Sequence, residues 1–309
     1  MERFDKREQE LWARISKGEG ESKAQALMEL GHDAFHKGNH TESLAMSETA
    51  LQVYQSLGAR ASNAVVGFVY QSMGWSLKAL KRYEEAALAA HKAGDLYREI
   101  GDKDLFRALS EEGDYWYDAK EWEKSYEVYS LALVEVNPDR SDESLAFTYG
   151  HCGFALGKMK RWEESLEHFM KSRELFKKLK NPGQVAFCDE EVALCYYKLG
   201  DGVSALDFAQ RALDYADITG ASYRLIWANG RMGLAKKLLG EYDEALEYLM
   251  ASKNHLLAER RTEWGTLVRL EKLMAEVFEA QGATDEAAEL LRRVRVIEET
   301  LEGDDDEDE

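Results

Sequence analysis

Prolines and cysteines are scarce in this chain of 309 residues and basic side chains are outnumbered by acidic ones, and each shortfall excludes something. Three cysteines at irregular spacing do not make a disulfide framework, so the chain reads as a protein of a reducing, cytoplasmic compartment. Forty basic side chains against 59 acidic ones leave a net charge of −19, whose field opposes nucleic-acid phosphate and anionic lipid headgroups. Basic partners are favoured instead. No apolar stretch lies in the start Met1-Glu2-Arg3-Phe4-Asp5-Lys6-Arg7-Glu8, so no secretory signal is visible. One uncharged run, Ala61 to Leu77, has seventeen residues but holds Ser62, Asn63, Gln71, Ser72 and two glycines, too polar and too short to span a bilayer. No sustained alternation of Val, Ile or Thr bounded by turn residues argues for strands. The two prolines, Pro138 and Pro182, each follow an asparagine past a helical segment, where proline stops a helix rather than kinking one.

Motifs that carry chemistry are missing too. There is no phosphate loop of the Walker type, no His-Glu-x-x-His pair and no Cys-x-x-Cys. The glycines Gly150, Gly153 and Gly157 lie inside a helical pattern with no strand before them, which suits close helix packing rather than nucleotide binding. His32 and His36, four apart with Asp33 and His40 nearby, read as solvent-facing polar residues before they read as a metal pair. Cys152, Cys188 and Cys195 are expected in the core as small apolar residues. The chain is therefore read as non-catalytic, with no cofactor and no metal.

What is present is a repeat. Small residues at Gly31, Gly74, Gly113, Gly153, Ala193, Gly233 and Ala275 recur at intervals of 43, 39, 40, 40, 40 and 42 residues. Nine residues after these anchors stand His40, Tyr83, Trp122, Trp162, Gly202, Tyr242 and Thr284. Twelve after them stand Ser43, Ala86, Ser125, Ser165, Ala205, Ala245 and Ala287, and nineteen after them Ala50, Ala93, Ala132, Ser172, Ala212, Ser252 and Val294. Apolar and small residues fall at helical spacing in two runs per unit, for example Trp227, Met232, Leu234 and Leu238, then Ala245, Leu246, Leu249 and Ser252. Turn-forming stretches such as Lys37-Gly38-Asn39 and Leu239-Gly240-Glu241 are too short for anything but an antiparallel helical hairpin. Small residues at the anchor and twelve beyond it let two helix backbones approach closely, while the aromatic at plus nine fills space at the turn.

The unit Met73-Gly74-Trp75 with Leu77, then Arg82-Tyr83-Glu84-Glu85-Ala86 and Ala93, resembles the tetratricopeptide repeat, and Gly240-Glu241-Tyr242-Asp243-Glu244-Ala245 matches as well. The resemblance covers roughly residues 22 to 301. The spacing near forty resembles the longer-helix subclass found in signalling adaptors and bacterial regulators. The resemblance implies an all-α fold, a right-handed superhelical solenoid of about seven hairpins with an N-terminal capping helix. Residues 1–17 are the expected cap, with Phe4, Leu11, Trp12 and Ile15 on one face; 18–23 are a linker, 24–301 the solenoid and 302–309 a disordered acidic tail. Leu290, Leu291, Val294, Ile297 and Leu301 form a stripe on the last helix that either packs inside its own hairpin or leaves a surplus for a homodimer contact.

The same resemblance implies that ligands lie on the face formed by the first helix of each hairpin. By it the partner-binding groove is Phe68, Gln71, Trp75 and Lys78 in the second repeat, Arg107 and Tyr117 in the third, and Phe147 and Phe154 in the fourth. It continues with Phe187 and Tyr197 in the fifth, Trp227, Arg231 and Lys237 in the sixth, and Arg269 and Lys272 in the seventh. Its middle is aromatic, which suits a shallow apolar trough for a helix or extended peptide, and its C-terminal end is basic. Chaperone-tail adaptors of the family clamp a carboxylate in their first repeats, where this chain has Met28 and His32, so that activity is not expected. The expected function is an adaptor that binds a protein or peptide, without direct nucleic-acid or membrane binding. A peptide-responsive regulator is the alternative, and an acidic decoy for basic nucleic-acid-binding surfaces a further one. The tail either solubilises the chain, attracts a basic partner, or folds back over the basic end of the groove.

Overall fold

The computed structural model describes residues 6–58, 61–135, 141–259 and 263–305, the side chains of 301–305 set aside. They form fifteen helices, and among the described residues there is no strand. The chain divides into two compact units, residues 1–159 and 160–309, with the boundary in the turn of the fourth repeat.

The first unit holds α1 (Lys6–Lys17), α2 (Glu21–His36), α3 (His40–Leu57), α4 (Asn63–Ala79), α5 (Tyr83–Ile100), α6 (Leu105–Asp118), α7 (Trp122–Val134) and α8 (Asp142–Lys158). Each helix packs against its neighbours in the chain, as a stack of hairpins requires. The cap begins at Lys6, so Phe4 lies outside the described residues. Leu11 is buried against Ala26 and Leu30 of α2 with Ile15 beside it, whereas Trp12, one residue round the helix, stays 38% exposed. The expected linker 18–23 shortens to Gly18–Gly20, because α2 starts at Glu21.

The second unit holds α9 (Trp162–Lys178), α10 (Pro182–Leu199), α11 (Gly202–Thr219), α12 (Ser222–Leu238), α13 (Tyr242–Ala258), α14 (Trp264–Gln281) and α15 (Thr284–Asp305). Helices again pack in chain order, and α10 also touches α12, so that the first helices of successive repeats lie side by side. Pro182 opens α10 at a position that has no intrahelical donor to lose, and Asn181 caps that end by accepting from the Gln184 amide at 3.2 Å. α15 continues past residue 301 to Asp305; the rest of the expected tail, 306–309, lies outside the described residues. Of its apolar stripe, Leu290 and Val294 are buried and Ile297 packs against the core of the α14/α15 hairpin, while Leu291 is 37% exposed.

The repeat positions have a common physical role. All seven residues at plus twelve and all seven at plus nineteen are buried, at 3% exposure or less. At Gly31, Gly74 and Gly233, a side chain would come within 3.3, 3.5 and 3.2 Å of the carbonyl oxygen of Ser43, Ala86 and Ala245, the plus-twelve residue in each case. Small residues at both positions therefore set the distance between the two helices of a hairpin. In the third repeat Ser125 uses the same proximity to donate a hydrogen bond to the Gly113 carbonyl at 2.9 Å. The turns share one left-handed residue, a glycine at Gly38, Gly200, Gly240 and Gly282 but a lysine at Lys81 and Lys120, where the strain is borne by a side chain that reaches water.

Buried ion pairs tie neighbouring repeats together in the second unit. Arg173 on α9 donates to Asp189 on α10 at 2.6 Å, and Lys253 on α13 reaches Glu271 on α14 at 2.6 Å, with Arg293 on the same oxygen at 2.7 Å. Both basic residues stand twenty after an anchor and both acids four before the next. Breaking one such pair from one side leaves a charge without a partner in the interior, which is more costly than replacing both.

Candidate functional site

In the second unit α10, α12 and α14, the first helices of repeats five, six and seven, converge on a cleft of about 350 Å³. Its floor is Leu194, Ile226, Leu234, Leu270 and Leu273, with Gly230 keeping the wall of α12 low. Trp227 lines it as well. The Arg231 guanidinium lies 5.9 Å and that of Arg269 5.2 Å from the Trp227 ring centre, and Tyr223 meets the same ring edge-on at 6.1 Å. Arg231 is held in place by donating to the Glu190 carbonyl and to the Glu191 carboxylate, both at 3.0 Å. Tyr197 closes one side, with the Lys198 ammonium 5.4 Å from its ring centre.

Beneath this cleft Glu190 is buried, 3.2 Å from Arg224, and burial outweighs the attraction of that arginine, pushing its carboxyl up to about 7. Arg269 is exposed as a residue, but partial desolvation of its guanidinium by the cleft walls, with the positive charge of Arg231, outweighs the pull of Glu191 and Glu263 and holds it below its usual range. Four residues of the expected groove, Tyr197, Trp227, Arg231 and Arg269, thus meet at one place. Phe187 lies one turn away under the guanidinium of Arg224, at 5.7 Å. Lys237 does not line the cleft but pairs with Glu276, which does. Lys272 leaves the group altogether: its ammonium lies 2.7 Å from Glu298 on α15.

The first unit is arranged differently. Phe68 and Trp75, 5.9 Å apart and edge-on, line a smaller cavity of about 190 Å³ with Met28, Phe35, His32 and His36. The two histidine rings touch through their Nε2 atoms at 3.0 Å. Gln71 is not available to a ligand. It has 0% exposure, its amide donates to Glu111 at 3.0 Å, and its carbonyl accepts from Tyr97 at 2.8 Å and Arg107 at 3.0 Å. Trp75 donates to the other oxygen of Glu111 at 3.0 Å. Gln71, Trp75 and Arg107 are thus bracing between α4 and α6, and burial raises the Glu111 carboxyl even against these donors. Lys78 pairs with Asp118 at 3.1 Å, and Tyr117 packs on Trp122 at 4.9 Å. Phe147 is 40% exposed on α8 and Phe154 half-buried one helical stretch beyond.

Sequence reasoning overlooked Lys198, Leu273, Thr266 and Glu191. The first three face the cleft only because α10, α12 and α14 lie side by side; nothing in their spacing distinguishes them. Among the described residues no group of three or more His, Cys, Asp or Glu could hold a metal ion, and no helix is long and apolar enough to cross a membrane. The three cysteines are buried and unpaired with one another.

The apo form of the quorum sensor NprR from B. thuringiensis superposes with a TM-score of 0.67 at 15% identity, covering 94% of this chain and 80% of NprR. The apo form of RapI superposes with a TM-score of 0.65 at 14% identity, over 91% of this chain and 99% of RapI. The chain has the tetratricopeptide-like repeat fold. Protein KINESIN LIGHT CHAIN-RELATED 3 of Arabidopsis thaliana is 23% identical to this repeat chain over 277 residues, 84% of it. The repeat chain spans about two fifths of that relative, 41% of its length. No family model matches.

Proposed function

We propose that this tetratricopeptide-like chain is a non-catalytic docking scaffold, and that the α10/α12/α14 cleft receives a peptide segment of another protein. One observation carries the reading: three consecutive first helices bring Tyr197, Trp227, Arg231 and Arg269 around a single open cleft with an apolar floor. A half-buried tryptophan backed by leucines and rimmed by polar groups is the composition of a binding hot spot rather than of a reaction centre. No nucleophile beside a base and an orienting group lies among the residues that line it.

Peptides selected from a display library on the immobilised full chain test this. Truncating a central hot-spot tryptophan removes about 2 kcal/mol or more, so Trp227→Ala is expected to weaken the selected peptides roughly thirtyfold while Phe147→Ala leaves them unchanged. Selected peptides that bind Trp227→Ala as well as the parent chain would overturn the reading. A regulatory role, in which the bound segment alters a second interaction, is supported by the likeness in fold to the quorum sensor NprR. It predicts that a cleft-binding peptide changes hydrogen exchange in helices away from α10, α12 and α14. Protection changes confined to those three helices would leave the scaffold without the regulator.

A further inference from the structure

The charges lining the cleft run against those of the chain. In a protein of net charge −19, three cations, Lys198, Arg231 and Arg269, face one carboxylate, Glu276, and that carboxylate is already paired with Lys237. Arg231 has its own partners on α10. Lys198 and Arg269 are different: among the described residues no carboxylate lies within ion-pair distance of either, although acidic residues outnumber basic ones 59 to 40. Arg269 also shares the Trp227 ring with a second guanidinium, and although Glu191 and Glu263 attract it from beyond ion-pair distance, only Arg231 has a carboxylate in contact. Such a placement is unfavourable by itself and becomes favourable when an anion arrives.

We infer that the cleft selects an acidic peptide segment, one Asp or Glu carboxylate of which is received by Arg269 beside Trp227, with a neighbouring apolar side chain on Leu234 and Leu270. The inference rests on the docking reading and specifies its partner. A carboxylate is favoured over a phosphate because the long-range field of a −19 chain repels a double charge twice as strongly, while only one guanidinium is unpaired to compensate. The same field makes the salt dependence shallow: salt screens a distant repulsion as well as the local attraction.

The test selects ten-residue display peptides on the full chain, with every position free to be acidic, amide, basic or apolar, and measures the winners as acetylated, amidated peptides by fluorescence anisotropy. Winners are expected to pair an acidic residue with an adjacent apolar one. Exchanging that residue for its amide should weaken binding roughly tenfold to a hundredfold, the range for a hydrogen bond to a charged group. Arg269→Gln should weaken the acidic form by the same factor and abolish the preference over the amide, and Arg269→Glu should shift selection to lysine-bearing peptides. Arg269 is exposed, and circular dichroism melts of both variants serve as the folding control. Winners that depend on Trp227 yet carry no acidic residue, or that ignore Arg269→Gln, overturn this inference and leave docking intact. Winners indifferent to Trp227→Ala overturn docking itself and this inference with it. A synthetic Glu302–Glu309 peptide competing as strongly as the winners, or a dimer of the chain that the winners dissociate, would assign the cleft to the chain itself and overturn the acidic partner.

Discussion

Alanine at Gly113 tests whether the repeat anchors are sites of close helix approach. A Cβ built there lies 2.7, 2.8 and 2.9 Å from Cε1, Cζ and Cδ1 of Tyr129, against the usual 3.5 Å or more, so the ring would have to withdraw by roughly 1 Å. It has nowhere to go. Tyr129 is buried, its hydroxyl donates to Asp114, and its ring stacks on His151 with centres 5.1 Å apart and planes 12° from parallel. Overpacking costs about 1–3 kcal/mol, and a ring held at both ends puts this case in the upper part, about 2–3 kcal/mol; replacing a mid-helix glycine by alanine returns about 1 kcal/mol, leaving a net loss of about 1–2 kcal/mol. Gly94, inside α5, is the control: its nearest neighbours, Ala108 Cβ and Leu105 Cδ1, would be 4.0 Å from the new methyl, so alanine there should stabilise by about 0.5–1 kcal/mol. Repeat stacks open in parts, so hydrogen exchange read on α6 and α7 is the appropriate assay, with protection falling about five- to thirtyfold for Gly113→Ala and rising for Gly94→Ala. Equal or raised protection in Gly113→Ala would mean that the anchor glycines are not points of close helix approach.

Three further outcomes follow from buried charges and thiols. The Glu190 carboxyl, raised from 4.5 to about 7, binds its proton more tightly in the folded chain, so its contribution is largest below pH 4.5 and is lost as pH rises towards 7. Glu190→Gln should remove that component, up to roughly 3 kcal/mol between pH 4.5 and 8, and denaturation midpoints with the same pH slope in both proteins would count against it. Arg173→Ala, which strands Asp189 in the interior, should cost about 3–5 kcal/mol in the second unit, whereas Arg173→Leu with Asp189→Leu recovers most of it in urea denaturation. Burial pushes the Cys188 and Cys195 thiols up to about 11, so native protein at pH 8 should react with a disulfide reagent at least a hundredfold more slowly than urea-unfolded protein; comparable rates would contradict their burial.

Most of the fold was legible in the residues because burial in a hairpin repeats with the chain. Ala86 and Ser252 are small for one reason, the proximity of a facing backbone at Gly74 and at the Ile226 carbonyl, and the buried positions they hold recur in every unit. Trp12 shows what periodicity leaves open: it lies on the edge of an apolar face, and a helical pattern holds no record of where the neighbouring helix ends. Gln71 and Trp227 show it again. Both occupy a groove register, yet Tyr97, Arg107 and Glu111 enclose the first, while Gly230 and the leucines of α14 leave the second beside open space.

The helical hairpins, their number of residues and the small positions that set their spacing are written in the residues, because these depend on periodicity along one chain and on side-chain volume. Which aromatic groups stay accessible, and which cations lack a carboxylate in contact, follows from packing alone. Those properties depend on residues some forty or more positions away, such as Glu190 for Arg231 and Arg269 for Trp227, brought together by packing one repeat on the next. A single unit carries no record of what its neighbour places opposite it.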